Sequence, residues 1–147
     1  MSFEAILPQT LAYEGGKVDD KDAPGGRPAY GITQRVFTDF LVSAGLPPRD
    51  VWTITTAERD EIYRLRYWRP VERAATDDQF RMAAFDYAVH SGPSRAIAHL
   101  SAAPTVREYL DRRRAFLRGL AQRRPTSRKY LKGWLRRVDK LQAFLGL

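Results

Sequence analysis

The chain has 147 residues, a length typical of one globular domain with a single core. Hydrophobic residues make up 44% of the chain and charged residues 29%, which excludes a disordered or low-complexity protein. The formal net charge is +8, so we expect a partner that carries negative charge. The sequence has no cysteine, which excludes disulfides, thiolate metal sites and a cysteine nucleophile.

The excess positive charge is concentrated at the C-terminal end. Residues 107–147 have a net charge of +10, whereas residues 1–106 have a net charge of −2. We interpret residues 1–147 as one domain, in which 1–106 carry the motifs and 107–147 form basic helices that are not an independent domain. We expect these basic side chains on solvated helix faces, where they can attract an anionic cell envelope: Arg112, Arg113, Arg114, Arg123, Arg124, Arg128, Lys129, Lys132, Arg136 and Arg137.

The N-terminal residues contain no basic segment followed by an apolar stretch of signal-peptide length. No apolar run is long enough to span a bilayer. We therefore expect synthesis in the cytoplasm without a signal peptide and no transmembrane segment.

The first predicted elements are a helix and a long loop. Residues 2–13 have helical periodicity, although Pro8 should start or kink the helix. Residues 15–33 contain five glycines and two prolines and predict a shaped loop with room for one short hairpin. Loops of this length within a compact domain are usually functional.

From Thr33 onward the pattern predicts helices only. Thr55 with Glu58 and Thr105 with Glu108 have the spacing of capping boxes, and Pro70 should end the helix that begins at Thr55. Counting the remaining apolar stripes, we predict a mainly α protein of about six or seven helices.

Glu14 is the first candidate for a catalytic residue. It lies at the predicted end of the first helix, before Gly15 and Gly16. The negative end of the helix dipole and partial burial both favour the protonated carboxyl, which is the form that glycosidic-bond cleavage requires in a general acid. The alternative is a solvated glutamate that precedes a glycine C-cap.

The motifs resemble one family of glycoside hydrolases. The run EGGKVDDKDAPGGRPAYGIT, residues 14–33, resembles the opening signature of glycoside hydrolase family 108, the bacterial and phage N-acetylmuramidases. Three later stretches also resemble that family: Ile62, Tyr63, Tyr67 and Trp68; Phe85, Asp86, Ala88, Val89, Ser91 and Gly92; and Gly133, Trp134, Leu135 and Arg137.

This resemblance implies a fold, an activity and a catalytic residue. The fold is lysozyme-like and mainly helical, and the glycine-rich loop lines one side of the cleft. The activity is hydrolysis of the β-1,4 bond between N-acetylmuramic acid and N-acetylglucosamine in peptidoglycan, with Glu14 in the position of the catalytic acid.

Two departures from the family pattern leave the identity of the second catalytic carboxylate open. Ala23 stands where the family commonly has Asp, and Pro28 stands where it commonly has Thr. Asp20 and Asp22 are the two candidates to position water or stabilise charge at the anomeric carbon. Their separation from Glu14 would distinguish inversion from retention.

Four further residues are candidates for substrate binding. Tyr30 and Thr33 can form hydrogen bonds to a sugar, although loop packing and helix capping explain them equally well. Tyr67 and Trp68 can stack on a sugar ring, and a core position is the alternative for both. We predict no metal site, because His90 and His99 lack the spacing of a helical metal pair and are expected to have structural or surface roles. We also predict no cofactor.

We therefore predict a peptidoglycan hydrolase that acts on the cell wall as a phage, prophage or phage-like endolysin. It would be a monomer, and a holin or a particle would give it access to the wall. The alternatives are a basic helical nucleic-acid-binding protein and a catalytically inactive, wall-binding phage component. Glu14 and its acidic loop favour the enzyme, so nucleic acid is not the expected partner.

Overall fold

Helices dominate the part of the chain that the computed structural model describes, residues 2–17 and 26–147. A π-helical segment, Arg64–Trp68, joins two of the α-helices into one continuous stretch, so the described residues form seven separate helices and the predicted mainly α fold class is confirmed. The α-helices are α1 (Ser2–Glu14), α2 (Gln34–Ser43), α3 (Thr56–Tyr63), α4 (Arg69–Ala74), α5 (Asp78–Ser91), α6 (Pro93–Leu100), α7 (Val106–Arg123) and α8 (Arg128–Phe144).

The chain divides into two compact units. The larger unit consists of Met1–Ile6 and Tyr67–Leu147, and the smaller unit is Leu7–Arg66. The interpretation of residues 1–147 as one domain stays a prediction. Within the described ranges, no helix combines the length and the apolar character needed to cross a membrane.

Capping side chains place the helix starts where the sequence predicts them. Thr55 and Glu58 form a reciprocal capping box at the start of α3. Thr105 accepts a hydrogen bond from the backbone N–H of Glu108 at the start of α7. The structure adds a further cap, at Asp77 before α5. Each cap satisfies a backbone donor that the first helical turn leaves without a partner.

The helix end predicted at Pro70 is wrong. The chain continues from α3 through the π-helical segment into α4, and Pro70 lies in the first turn of α4. The π-helical segment directly before Pro70 departs from the α-helical hydrogen-bond pattern, and proline is tolerated at such a junction. Pro8 likewise lies inside α1, which continues to Glu14.

Polar side chains connect α2 and α3 in the smaller unit. The Gln34 side chain donates to the carbonyl of Arg49 at 2.9 Å and accepts from the N–H of Val51 at 2.8 Å. The Arg49 guanidinium donates to both carboxylate oxygens of Glu58, at 2.8 and 2.9 Å. This hydrogen bonding lowers the pKa of Glu58 to about 2. The start of α3 is thereby held to the segment that follows α2.

An aromatic cluster lies in the core of the larger unit. The ring centroids of Phe3, Trp68 and Phe85 are 5.6 to 5.9 Å apart, and tilted or edge-to-face rings of this kind pack favourably. Only 4% of Trp68 is exposed, and its indole N–H donates to Glu72 at 3.2 Å. The structure therefore shows the core alternative for Trp68, and its role in sugar stacking stays a prediction.

Two arginines of the basic C-terminal segment are buried. Arg113 and Arg137 are 0% and 5% exposed, and both donate to the carboxylate of Asp86, which is 1% exposed. The three N–O distances are 2.8 to 3.1 Å, so one carboxylate accepts hydrogen bonds from both guanidinium groups. For these two residues the prediction of solvated faces is wrong.

Both histidines have structural partners in the larger unit. His90 Nδ1 lies 3.0 Å from Nη2 of Arg113, and His99 Nδ1 lies 2.9 Å from the Tyr87 hydroxyl. Burial and, to a smaller extent, the charges of Arg113 and Arg137 lower the pKa of His90 to about 4, although the charge of Asp86 opposes this shift. His90 is therefore neutral at physiological pH.

We expect the free energy of unfolding to fall as the pH falls from about 6.5 to about 4. In this range an unfolded His90 binds a proton, whereas the folded side chain stays neutral, so acid favours the unfolded state. Burial also lowers the pKa of His99, which adds to the same trend. Urea unfolding at pH 7 and pH 5 measures this loss, and His90→Gln should reduce it. An unchanged loss in His90→Gln would contradict the assignment to His90.

Candidate active site

Glu14 is the last residue of α1 and is half-buried. Gly15 follows it with φ +67°, a left-handed conformation that glycine adopts without strain and that turns the chain out of the helix. The predicted position of Glu14 at a helix end is confirmed. This position places its carboxyl at the negative end of the helix dipole.

The returning part of the glycine-rich loop lies against Glu14. The N–H of Tyr30 donates to the carbonyl of Gly16 at 3.0 Å, and isolated β-bridges join Lys17 to Ala29 and Ala29 to Ile32. These contacts are the described part of the short hairpin for which the sequence leaves room. They bring the backbone at residue 31 beside the end of α1.

Gly31 has no side chain, and both the Glu14 carboxyl and the Tyr63 hydroxyl border the space that a side chain would occupy. A β-carbon added at Gly31 would lie 3.4 Å from Glu14 Oε2 and 3.4 Å from the Tyr63 hydroxyl oxygen. Gly31 also has φ +75°, a conformation that other residues rarely adopt. The Glu14 carboxyl, the Tyr63 hydroxyl and the Gly31 backbone therefore lie close together.

Tyr63 supports the turn on which Gly31 lies. It is only 2% exposed, and its hydroxyl donates to the carbonyl of Tyr30 at 2.6 Å. Tyr30 has φ +54°, which costs a non-glycine residue on the order of 1–3 kcal/mol. The Arg59 guanidinium lies 4.9 Å from the centroid of the Tyr30 ring and adds a cation–π contact. These contacts stabilise a strained turn beside Glu14.

A second set of contacts holds the loop at Pro28. The indole N–H of Trp52 donates to the Pro28 carbonyl at 3.2 Å. Arg27 lies 4.1 Å from the Trp52 ring centroid and forms an ion pair with Asp50 at 3.2 Å. Proline at position 28 is compatible with this attachment, because the contact uses the carbonyl oxygen.

The two candidates for the second carboxylate, Asp20 and Asp22, lie outside the described residues, as does Ala23. Thr33 is the N-cap of α2, and its side chain accepts a hydrogen bond from the N–H of Val36 at 3.3 Å. The structure therefore shows the capping alternative for Thr33. Its substrate role stays a prediction.

The aromatic candidates differ in exposure. Tyr30 is half-buried beside Glu14, and Tyr67 is half-buried in the π-helical segment and belongs to the larger unit. A role for either residue in sugar binding stays a prediction. Among the described residues, no group of three or more His, Asp or Glu side chains has an arrangement that could hold a metal ion.

The sequence reasoning did not assign Tyr63 or Arg59 to the site. Tyr63 belongs to one of the family-like stretches, and this was the available signal for it. Its contact with Tyr30 spans 33 residues of sequence, so periodicity and local motifs could not reveal it. For Arg59, the sequence gives no signal of a role in the site other than that it is a polar residue on α3.

A mainly helical fold with a half-buried glutamate at a helix end beside a glycine-rich loop has the arrangement of a lysozyme-type glycoside hydrolase. The family model of Glycosyl hydrolase 108 matches residues 7–92, more than half of the chain. The chain belongs to this family.

A solved structure extends the likeness beyond the matched residues. The chain is similar to SagA from Brucella abortus, with 27% sequence identity and a TM-score of 0.75 over 97% of this chain and 92% of that chain. Among curated proteins, a sequence search finds no match. The predicted lysozyme-like fold is confirmed, and the chain is a glycoside hydrolase of the lysozyme-type muramidase class, a peptidoglycan hydrolase.

Proposed function

We propose that the enzyme cleaves the β-1,4 bond between N-acetylmuramic acid and N-acetylglucosamine, with Glu14 as the general acid. The observation that carries this proposal is the position of Glu14, half-buried at the end of α1, with its Oε2 against the bare backbone of Gly31. A carboxyl in this position can hold a proton and has open backbone beside it.

In the proposed reaction, Glu14 donates its proton to the glycosidic oxygen. The bond from the anomeric carbon of N-acetylmuramic acid to that oxygen breaks, and its electron pair stays with the departing sugar. Water supplies the new hydroxyl group at the anomeric carbon. We propose Asp20 or Asp22 as the carboxylate that activates the water or stabilises the positive charge.

Analysis of the digestion products tests the bond assignment. We expect mass spectrometry of digested and borohydride-reduced peptidoglycan to give fragments that end in reduced N-acetylmuramic acid. Fragments that end in reduced N-acetylglucosamine would instead indicate a glucosaminidase. Anhydro-muramic ends would indicate a lytic transglycosylase, and either result would overturn the proposed bond.

Gly31→Ala is expected to slow peptidoglycan hydrolysis by about 10-fold to 100-fold, because a small displacement of a catalytic group is costly. The added β-carbon would lie 3.4 Å from Glu14 Oε2 and 3.4 Å from the Tyr63 hydroxyl, and the alanine would have to adopt φ +75°. Initial rates on a peptidoglycan suspension measure the effect.

Gly26→Ala is the matched control for this variant. Gly26 also has a positive φ, +88°, but a β-carbon there would have no atom within 4 Å. It carries the same kind of backbone penalty without a contact to Glu14. Equal loss of rate in both variants would show that loop strain, and not the space beside Glu14, limits the reaction.

We also propose that the enzyme acts as a phage, prophage or phage-like endolysin and reaches the wall through a holin or within a particle. The muramidase class supports a role in wall lysis. Expression in a bacterial host tests the route, since lysis that requires a coexpressed holin would support release through the membrane. Lysis without a holin would contradict that route.

A further inference from the structure

A basic groove of about 400 Å³ lies in the larger unit, between α7 and the end of α5 with the start of α6. Three arginines contribute to its walls, and no carboxylate does. The groove residues used below are His90, Ser91, Arg95, Phe116, Arg123 and Arg124.

The three arginines of the groove have no ion-pair partner among the described carboxylates. Arg114, on the same helix as Arg123, pairs instead with Asp111 and Asp139 at 2.8 and 2.9 Å. The groove therefore concentrates positive charge that the described protein does not neutralise. A concave surface of this kind attracts anions.

Contacts hold the Arg95 guanidinium in place, and the Arg123 guanidinium lies beside a helical glycine. The Arg95 guanidinium lies 4.2 Å from the centroid of the Phe116 ring and donates to the Ser91 carbonyl at 3.2 Å. Arg123 lies across Gly119, where an added β-carbon would come within 3.1 Å of its Nη1. Glycine is unfavourable inside a helix, and here its missing side chain leaves room for the guanidinium.

His90, which lines the groove, contacts the buried Arg113. Arg113 Nη2 lies 3.0 Å from His90 Nδ1, and a guanidinium has only donors, so Nδ1 accepts and Nε2 carries the ring proton. The charged side chains that line the groove are its three arginines, so its lining carries positive charge.

We propose that this groove binds the phosphate group of a phosphorylated sugar of the cell envelope. Guanidinium groups match phosphate oxygens in geometry and charge. The groove is larger than a single ion requires, and Phe116 gives it an apolar wall beside the arginines. All of the groove residues belong to the larger unit, whereas Glu14 belongs to the smaller unit.

The test is an NMR titration of the full chain with glucose 6-phosphate at low ionic strength. We expect the amide signals of His90 and Ser91 to shift. In the double variant Arg123→Gln/Arg124→Gln, the affinity should fall by about tenfold or more, because charge-assisted hydrogen bonds are lost. Thermal unfolding of each variant confirms that it folds.

The matched control is Arg107→Gln/Arg118→Gln. It removes the same charge from exposed positions of the same helix, outside the groove. We expect its affinity for glucose 6-phosphate to stay within about twofold of the parent, because distant surface charges are screened. Equal losses in the two double variants would show diffuse attraction and overturn the proposal.

Gly119→Ala provides a test that leaves the net charge unchanged. It displaces Nη1 of Arg123, so we expect weaker binding with no loss of stability.

Titrations with glucuronate and with inorganic phosphate identify the chemistry of the ligand. If glucuronate binds as tightly as glucose 6-phosphate, the proposed preference for phosphate is wrong. If inorganic phosphate binds as tightly, the sugar contributes nothing and the proposal of a phosphorylated sugar is wrong. Because the readout is binding, these outcomes are independent of peptidoglycan cleavage.

Discussion

Glu14→Gln is expected to lower peptidoglycan hydrolysis by a factor of about 10² to 10⁴, the usual contribution of a general acid. Glutamine has nearly the size of glutamate but cannot donate a proton to the glycosidic oxygen. The position of Glu14 beside Gly31 tolerates this change, since no atom is added. The loss of turbidity of a peptidoglycan suspension measures the rate.

Glu4→Gln is the control on the same helix, because Glu4 is exposed in the first turn of α1. It should retain the parental rate, and both variants should unfold near the parental temperature. Full lytic activity of Glu14→Gln would contradict the assignment of the acid. A parent chain with no activity would instead support the inactive wall-binding alternative.

Asp86→Asn is expected to lower the free energy of unfolding by about 3–5 kcal/mol, the cost of removing one partner from a buried ion pair. Arg113 and Arg137 are 0% and 5% exposed and share this one carboxylate at 2.8 to 3.1 Å. Asparagine keeps the shape but removes the negative charge that both guanidinium groups contact. Urea unfolding at pH 7 measures the difference.

Asp139→Asn is the matched control for the buried charge. Asp139 pairs with Arg114 at 2.9 Å, but its side chain is 67% exposed, so the loss should be no more than about 1 kcal/mol. If both variants lose a similar free energy of unfolding, burial does not explain the effect of Asp86→Asn.

Asp86 also makes the protein sensitive to acid. Burial raises the pKa of Asp86, but the charges of Arg113 and Arg137 outweigh burial and hold it well below its usual value. A carboxylate with a lowered folded pKa stabilises the protein above its unfolded pKa, and this stability is lost as the pH falls below about 4. The loss should be smaller in Asp86→Asn than in the parent.

Local sequence signals predicted the starts of α3 and α7. Capping at Thr55 and Thr105 depends on residues three positions apart, so a single sequence reveals it. The continuation through Pro70 was missed, because a π-helical segment has no simple sequence signature.

The candidate site was only partly predictable. Glu14 could be found because a helix end followed by two glycines is a local pattern. The hydrogen bond from Tyr63 to Tyr30 could not be predicted, because it joins residues that are 33 positions apart in the sequence.

The sequence by itself determined the mainly helical fold class, the family and the position of Glu14 at a helix end, because periodicity, caps and motifs are local. Only the tertiary structure decided which charges are buried. Arg113 and Arg137 resemble their solvated neighbours in the sequence, yet Asp86 lies 27 and 51 residues away and meets them in the core. Burial of a charge depends on such distant partners, and so does the groove in which Arg95, Arg123 and Arg124 meet.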